Sequence, residues 1–124
     1  MKKIFLFVLC APLLMASTCD NENDQIVCTT QFVYGLNVFV LDAESGQPLV
    51  EGVTVSAVDG NYQENLELIP GLEYSFVGAG ERTGTYTVTV IKEGYQTFSS
   101  TPIVITSDVC HVIPQSLTVN IHSN

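Results

Sequence analysis

The chain has 124 residues, 46% of them hydrophobic and 14% charged, with 13 acidic side chains, 4 basic ones, 4 Cys and no Trp. That length fits one domain, and the abundance of Val, Ile, Leu, Phe and Tyr excludes a disordered chain. Beyond residue 18 only Arg82 and Lys92 stand against all 13 acids, a formal charge of −11, which excludes the basic surface that nucleic acid requires.

The N-terminus carries an address. Met1-Lys2-Lys3 is a short basic segment, Ile4 to Met15 is an apolar run of 12 residues broken only by Pro12, and Ala16-Ser17-Thr18 are small. Crossing a bilayer as a helix takes roughly 20 apolar residues, so the run reads as a secretory signal peptide over residues 1–18. Cys19 follows, then Asp20-Asn21-Glu22-Asn23-Asp24. A small-residue segment ending in Cys resembles a bacterial lipobox, with Thr18 where Gly, Ala or Ser is usual. The acidic stretch resembles the surface-export signal of Bacteroidota lipoproteins. The resemblance implies lipidation at Cys19, a tether over residues 19–25, and a lipid anchor in the cell envelope, at the outer membrane and facing outward. Ordinary secretion with cleavage after Ala16 is the alternative.

Cysteine counting agrees with export. Cys10 leaves with the signal and lipidation consumes Cys19, so Cys28 and Cys110 remain as an even pair 82 positions apart. A disulfide between them would close a long loop, worth roughly 4–5 kcal/mol in the chain-entropy model. A metal site recruiting His111 and His122 to Cys110 is the competing reading, but neither CxxC nor HxxxH spacing occurs.

Residues 26–124 show a period of two and no convincing helical pattern. Leu36, Val38 and Val40 alternate, as do Val53, Val55 and Ala57. Shorter strands are predicted around Tyr62–Leu68 and Tyr74–Val77. In Tyr86-Thr87-Val88-Thr89-Val90 the apolar residues face one side and Thr85, Thr87 and Thr89 the other. Tyr95–Ser99, Ile103–Ile105 and a last strand through Leu117, Val119 and Ile121 complete the set. Turn chemistry separates them at Glu44–Pro48, Asp59-Gly60-Asn61, Pro70-Gly71, Gly78–Gly84 and Glu93-Gly94. The prediction is an all-β, antiparallel sandwich of seven to eight strands.

Val40-Leu41-Asp42-Ala43-Glu44-Ser45-Gly46-Gln47-Pro48, leading through Gly52 into Val53-Thr54-Val55, resembles the opening of carboxypeptidase regulatory-like domains. Gly84-Thr85-Tyr86, followed by Glu93-Gly94-Tyr95, resembles their later Gly-x-Tyr strand and Gly-Tyr turn. The resemblance covers about residues 35–121 and implies a transthyretin-like (prealbumin-like) sandwich. Its physical sense is local: Asp42 bonds turn amides, Gly46 supplies positive φ, and Pro48 restricts the return. Gly94 permits a corner, and Tyr95 joins an apolar body to a hydroxyl.

Chemical motifs are sparse. The catalytic hydroxyisourate hydrolase branch of transthyretin-like proteins needs His-Arg-Gly-like motifs and a C-terminal Tyr-Arg-Gly-Ser, whereas this chain has Arg82 in a turn and ends Ile121-His122-Ser123-Asn124. Gly78–Gly84 resembles a phosphate loop only superficially, since a strand rather than a helix follows, and it reads as a hairpin loop. His111 beside Cys110 could serve as a base only to a free thiol. The carboxylate pairs Asp42/Glu44, Glu64/Glu67 and Glu81/Glu93 could act as acid and base or hold Ca²⁺ through oxygen ligands, or simply solvate a secreted surface. The aromatics Phe32, Tyr34, Phe39, Tyr62, Tyr74, Phe76, Tyr86, Tyr95 and Phe98 could include a sugar-stacking platform, although most should be core or rim. Altogether the sequence predicts a non-enzymatic envelope lipoprotein without cofactor or catalytic metal. Its β-sandwich would present loops or a sheet edge to a protein partner, the alternative being a carbohydrate- or peptide-binding accessory to nutrient uptake.

Overall fold

The computed structural model describes residues 26–69, 71 and 74–124, and these form strands and turns without a helix. The signal segment and Cys19 lie outside the described residues. In chain order the strands are β1 (Tyr34–Asp42), β2 (Val53–Asp59), β3 (Tyr62–Asn65), β4 (Glu67–Leu68), β5 (Ser75–Gly80), β6 (Gly84–Lys92), β7 (Phe98–Ser99), β8 (Ile103–Ile105) and β9 (Gln115–Ile121). One sheet runs β4-β5-β1-β9, and the other runs β3-β2-β6-β7 with β8 also paired to β6.

The predicted alternation is the one observed. Leu36, Val38 and Val40 of β1 point inward, as do Val55 and Ala57 of β2, Tyr86, Val88 and Val90 of β6, and Val119 and Ile121 of β9. Those inward faces cover each other, and full burial of each Val or Leu contributes about 1.5–3 kcal/mol. Thr85, Thr87 and Thr89 lie on the opposite face of β6. A sandwich built on period two thus follows from the residues.

Three features differ from the prediction. First, the sandwich is mixed rather than antiparallel, because β9 runs parallel to β1 from Leu36↔Gln115 to Asp42↔Ile121. Residues 106–114 deliver the chain to the end where β1 begins, so β9 must start there too. Alternation encodes which face a residue takes and is silent on strand direction.

Second, nine strands form among the described residues, because the Tyr62–Leu68 segment changes sheets. β3 pairs with β2 and β4 with β5, while the intervening Leu66 is buried and donates its N–H to the Val55 carbonyl. Leu66 is the hinge of that crossing.

Third, the Gly78–Gly84 segment is not a hairpin loop. β5 continues through Gly80 and pairs with β1, whereas β6 belongs to the other sheet. Ala79 and Glu81 adopt positive φ (53° and 48°) to turn the chain across the gap. Gly80 leaves room for the Phe32 ring, with which a Cβ there would collide. The Phe32 ring in turn meets Tyr34 edge-on, centroids 5.1 Å apart.

Cys28 and Cys110 are joined in a disulfide with Cα atoms 5.3 Å apart. The bridge ties the segment preceding β1 to the loop preceding β9 and encloses nearly all of the sandwich. Replacing both cysteines by Ser is expected to cost about 2–5 kcal/mol in urea unfolding followed by tyrosine fluorescence. A midpoint equal to that of the oxidised wild type would contradict this role.

Candidate functional site

The polar side chains concentrate at the two ends of the sandwich. At one end the β1–β2 turn meets the β6–β7 turn. Asp42 closes β1, and its Oδ1 accepts the amides of Glu44 (2.8 Å) and Ser45 (3.0 Å). Gly46 at φ 73° returns its N–H to the Asp42 carbonyl, and Pro48 forms a bridge with Leu41. The other oxygen, Oδ2, accepts the Tyr95 hydroxyl at 2.6 Å. Tyr95 reaches it because Gly94, at φ 86°, turns the chain after β6. Residues 122–124 seal this end, with Gln96 donating to the His122 carbonyl and Asn124 to that of Gly94.

The motif residues Asp42, Gly46, Pro48, Gly94 and Tyr95 therefore assemble at one end. Gly52 (φ 70°) sits beside them at the start of β2, where the Lys92 ammonium bonds the neighbouring Glu51 carbonyl at 2.6 Å. Tyr86 does not join this group. It is fully buried at the opposite end, where its hydroxyl donates to the Arg82 carbonyl (3.1 Å) and accepts from the Arg82 guanidinium (2.8 Å).

That opposite end holds two networks. In the first, Arg82 lies 3.6 Å over the Tyr62 ring and pairs with Asp59 at 3.0 Å. Tyr62 donates to Glu64, which raises the Tyr62 pKa, and the second oxygen of Glu64 accepts the Ala79 amide. In the second, Glu81 receives the amides of Val33 (2.9 Å) and Val112 (3.2 Å) and faces His111 Nδ1 at 2.7 Å. His111 Nε2 meets the Thr29 hydroxyl at 3.0 Å. Partial burial pushes the Glu81 carboxyl up, but His111 and the two amides outweigh it and hold the pKa below the ordinary value. Asp108 prepares the loop, since its Oδ1 accepts the amides of Cys110 and His111.

An open polar pocket of ≈ 180 Å³ lies here, lined among others by Glu81, Thr83, Asp108, Cys110 and His111. Hydroxyl, imidazole and carboxylate stand in the order of an acyl-transfer relay. Such chemistry also needs backbone donors aimed at a developing oxyanion. The amides of Cys110 and His111 are instead directed at Asp108, and those of Val33 and Val112 at Glu81. These bonds fasten the segment around Thr29 and Val33 to the loop carrying the disulfide.

The alternative ligand sets come apart. Cys110 is engaged by Cys28, and His122 lies at the far end of β9 from His111. Glu64 and Glu67 sit in different sheets, Glu81 and Glu93 at opposite ends of β6, and both Asp42 oxygens are occupied. Among the described residues no group of three His, Cys, Asp or Glu side chains could hold a metal ion. Sequence reasoning paired Glu81 with Glu93 rather than with His111, and it missed Thr29 and Asp108. Only Asp108 was signalled, by an Asp two residues before Cys110 in a turn-forming stretch. No protein-family model matches the chain, and no curated protein matches it.

The Asp42–Tyr95 bond gives stability two pH limbs. The Tyr95 hydroxyl, with the Ser45 and Glu44 amides, holds the Asp42 carboxyl below its ordinary pKa, while that carboxylate, with burial, raises Tyr95. Asp42 therefore stabilises the fold above about pH 4, and this is lost as pH falls through the lowered value. Tyr95 contributes below about pH 10, and its share is lost as pH rises through the raised value. In Tyr95→Phe, NMR titration of the Asp42 carboxyl should move upward and the alkaline loss of stability should shrink. An unmoved Asp42 titration would exclude the bond in solution.

Proposed function

We propose that this chain is a lipid-anchored envelope protein whose transthyretin-like sandwich, of the carboxypeptidase regulatory-like kind, acts as a non-enzymatic docking or presentation module. The meeting of Asp42, Gly46, Pro48, Gly94 and Tyr95 in one knot supports the family reading, since it gives those motif residues a shared structural task.

One observation carries the docking reading: the two ends of the module are distinct. The described chain enters at the disulfide end, through Ile26 to Val33, whereas the turns after β1 and β6 and the last three residues occupy the opposite end. With a lipid on Cys19, residues 19–25 form a tether of about 25 Å at full extension. The disulfide end would then face the membrane and the Asp42–Tyr95 end would face outward. The outward end is a set of short turns already fixed by side-chain and backbone bonds, so a partner would bind it with little ordering cost.

Sugar capture fits less well. A stacking platform needs exposed ring faces side by side, but exposed Phe32 meets the half-buried Tyr34 edge-on, while exposed Tyr74 adjoins Ser75, which pairs with Phe39 towards the other half of β1.

Cys19→Ser is expected to move the protein from the membrane fraction to the soluble fraction of cells. Retention in the membrane would refute the lipid anchor. A photo-cross-linking residue at Ser45 or Gln96 in intact cells should capture a reproducible envelope protein, and one at Val27 should not. Equal capture from both ends, or none from either, would count against the outward-docking reading.

A further inference from the structure

β9 is an edge strand whose outer side is capped only beyond its last residue, where Gln96 donates to the His122 carbonyl. Among the described residues it pairs only with β1. Its last carbonyl, that of Ile121, accepts the Ala43 amide and so points toward β1. Backbone groups alternate sides along a strand, which aims those of Gln115, Leu117 and Val119 at β1 as well. The N–H and C=O groups of Ser116, Thr118 and Asn120 therefore point away from the sheet, and none of them bonds another described residue.

Natural edges are blunted by charge, Pro, bulges or shortness. β9 is seven residues long, reads Gln-Ser-Leu-Thr-Val-Asn-Ile, and carries neither charge nor Pro. The other edges differ: β3 carries Glu64, β4 carries Glu67, and β7 and β8 span two and three residues. In so acidic a chain, most surfaces repel a second copy. β9 is the long edge among the described strands that brings no like charges together.

We propose that β9 pairs antiparallel with β9 of a second copy of this chain, about a twofold axis at Thr118, joining the two β4-β5-β1-β9 sheets into one. The parity of the strand permits it. Centring on Thr118 sets Ser116 opposite Asn120 and Thr118 opposite itself, so the outward-pointing residues of one copy meet those of the other. Each such pair can exchange both backbone bonds. On the outer face this juxtaposes hydroxyls and amides, including a Thr–Thr pair. On the inner face Leu117, half-buried in one copy, gains Val119 of the second as a neighbour. A single strand pair lies at the small end of specific interfaces, so association should depend on concentration. Concentration in a membrane plane would favour it. The proposal is independent of what binds the far end.

Disulfide trapping in cells tests it on the full chain. In a hydrogen-bonded antiparallel pair the two Thr118 Cα atoms would be about 5.5 Å apart, within disulfide reach. Thr118→Cys should give a dimer on non-reducing gels that runs as monomer once reduced, whereas Ser116→Cys should not link to itself. Thr118→Lys, which sets two cations face to face while leaving the β1 bonds intact, should shift the wild type's concentration-dependent sedimentation to that of a monomer. Trapping of Thr118→Cys no greater than that of Ser116→Cys overturns the proposal, as does a wild-type mass that stays monomeric at every concentration. Trapping of Thr118→Cys onto a different protein overturns it in favour of a foreign strand on the same edge.

Discussion

No backbone hydrogen bond crosses the core of a two-sheet sandwich, so the alignment of the sheets rests on apolar contact and on whatever ties their ends together. β1 is the member through which those ties act. It is bonded along both edges, to β5 and to β9, and its Leu36, Val38 and Val40 lie at the centre of the core. Its last residue, Asp42, reaches across to Tyr95, which follows a strand of the other sheet. At its other end, Val33 just before it bonds both the backbone and the carboxylate of Glu81, on the link between β5 and β6. The sheets are thus tied at either end of one strand, with the disulfide outside the second tie.

The two ties differ in how they would fail. Asp42–Tyr95 is a side-chain bond supported by turn amides and by two backbone bonds between residues 94–96 and 122–124, and it titrates. The other tie is redundant: a covalent bridge, a carboxylate with two amide donors, and an imidazole reaching Thr29 all hold the same segment. Such redundancy suits the end through which the chain arrives, because any pull on a tether would be applied there. The tie that titrates is at the end that carries the turns after β1 and β6.

Legibility followed the range of each interaction. The β1 and β6 faces were readable because alternation is local, and the Asp42–Gly46 turn because its bonds span a few residues. The cysteine pair was readable by counting. Strand direction, the sheet change at Leu66 and the crossing at Gly80–Gly84 were not, since each depends on where a distant element lies. The same holds for Glu81, which looked like one of many solvating acids. Its role comes from Val33, His111 and Val112, and from a positive φ that nothing in Gly-Glu-Arg announces.

The disposition of the cations bears on what the surface can meet. Arg82 is committed to Asp59, Tyr86 and the face of Tyr62, and Lys92 to the Glu51 carbonyl near the Tyr95 ring. Among the described residues both positive charges therefore serve the fold, and each does so beside a tyrosine that anchors an end. Carboxylates are left as the dominant charge at the turn-bearing end, where Glu44 and Glu93 are exposed. An acidic surface keeps copies apart everywhere except along an uncharged strand such as β9. On the docking reading, the turn-bearing end would then favour a partner with basic groups, while the strand edge would favour like with like. Two surfaces of opposite preference on one small sandwich need not compete, because β9 runs along the side and the turns close the end.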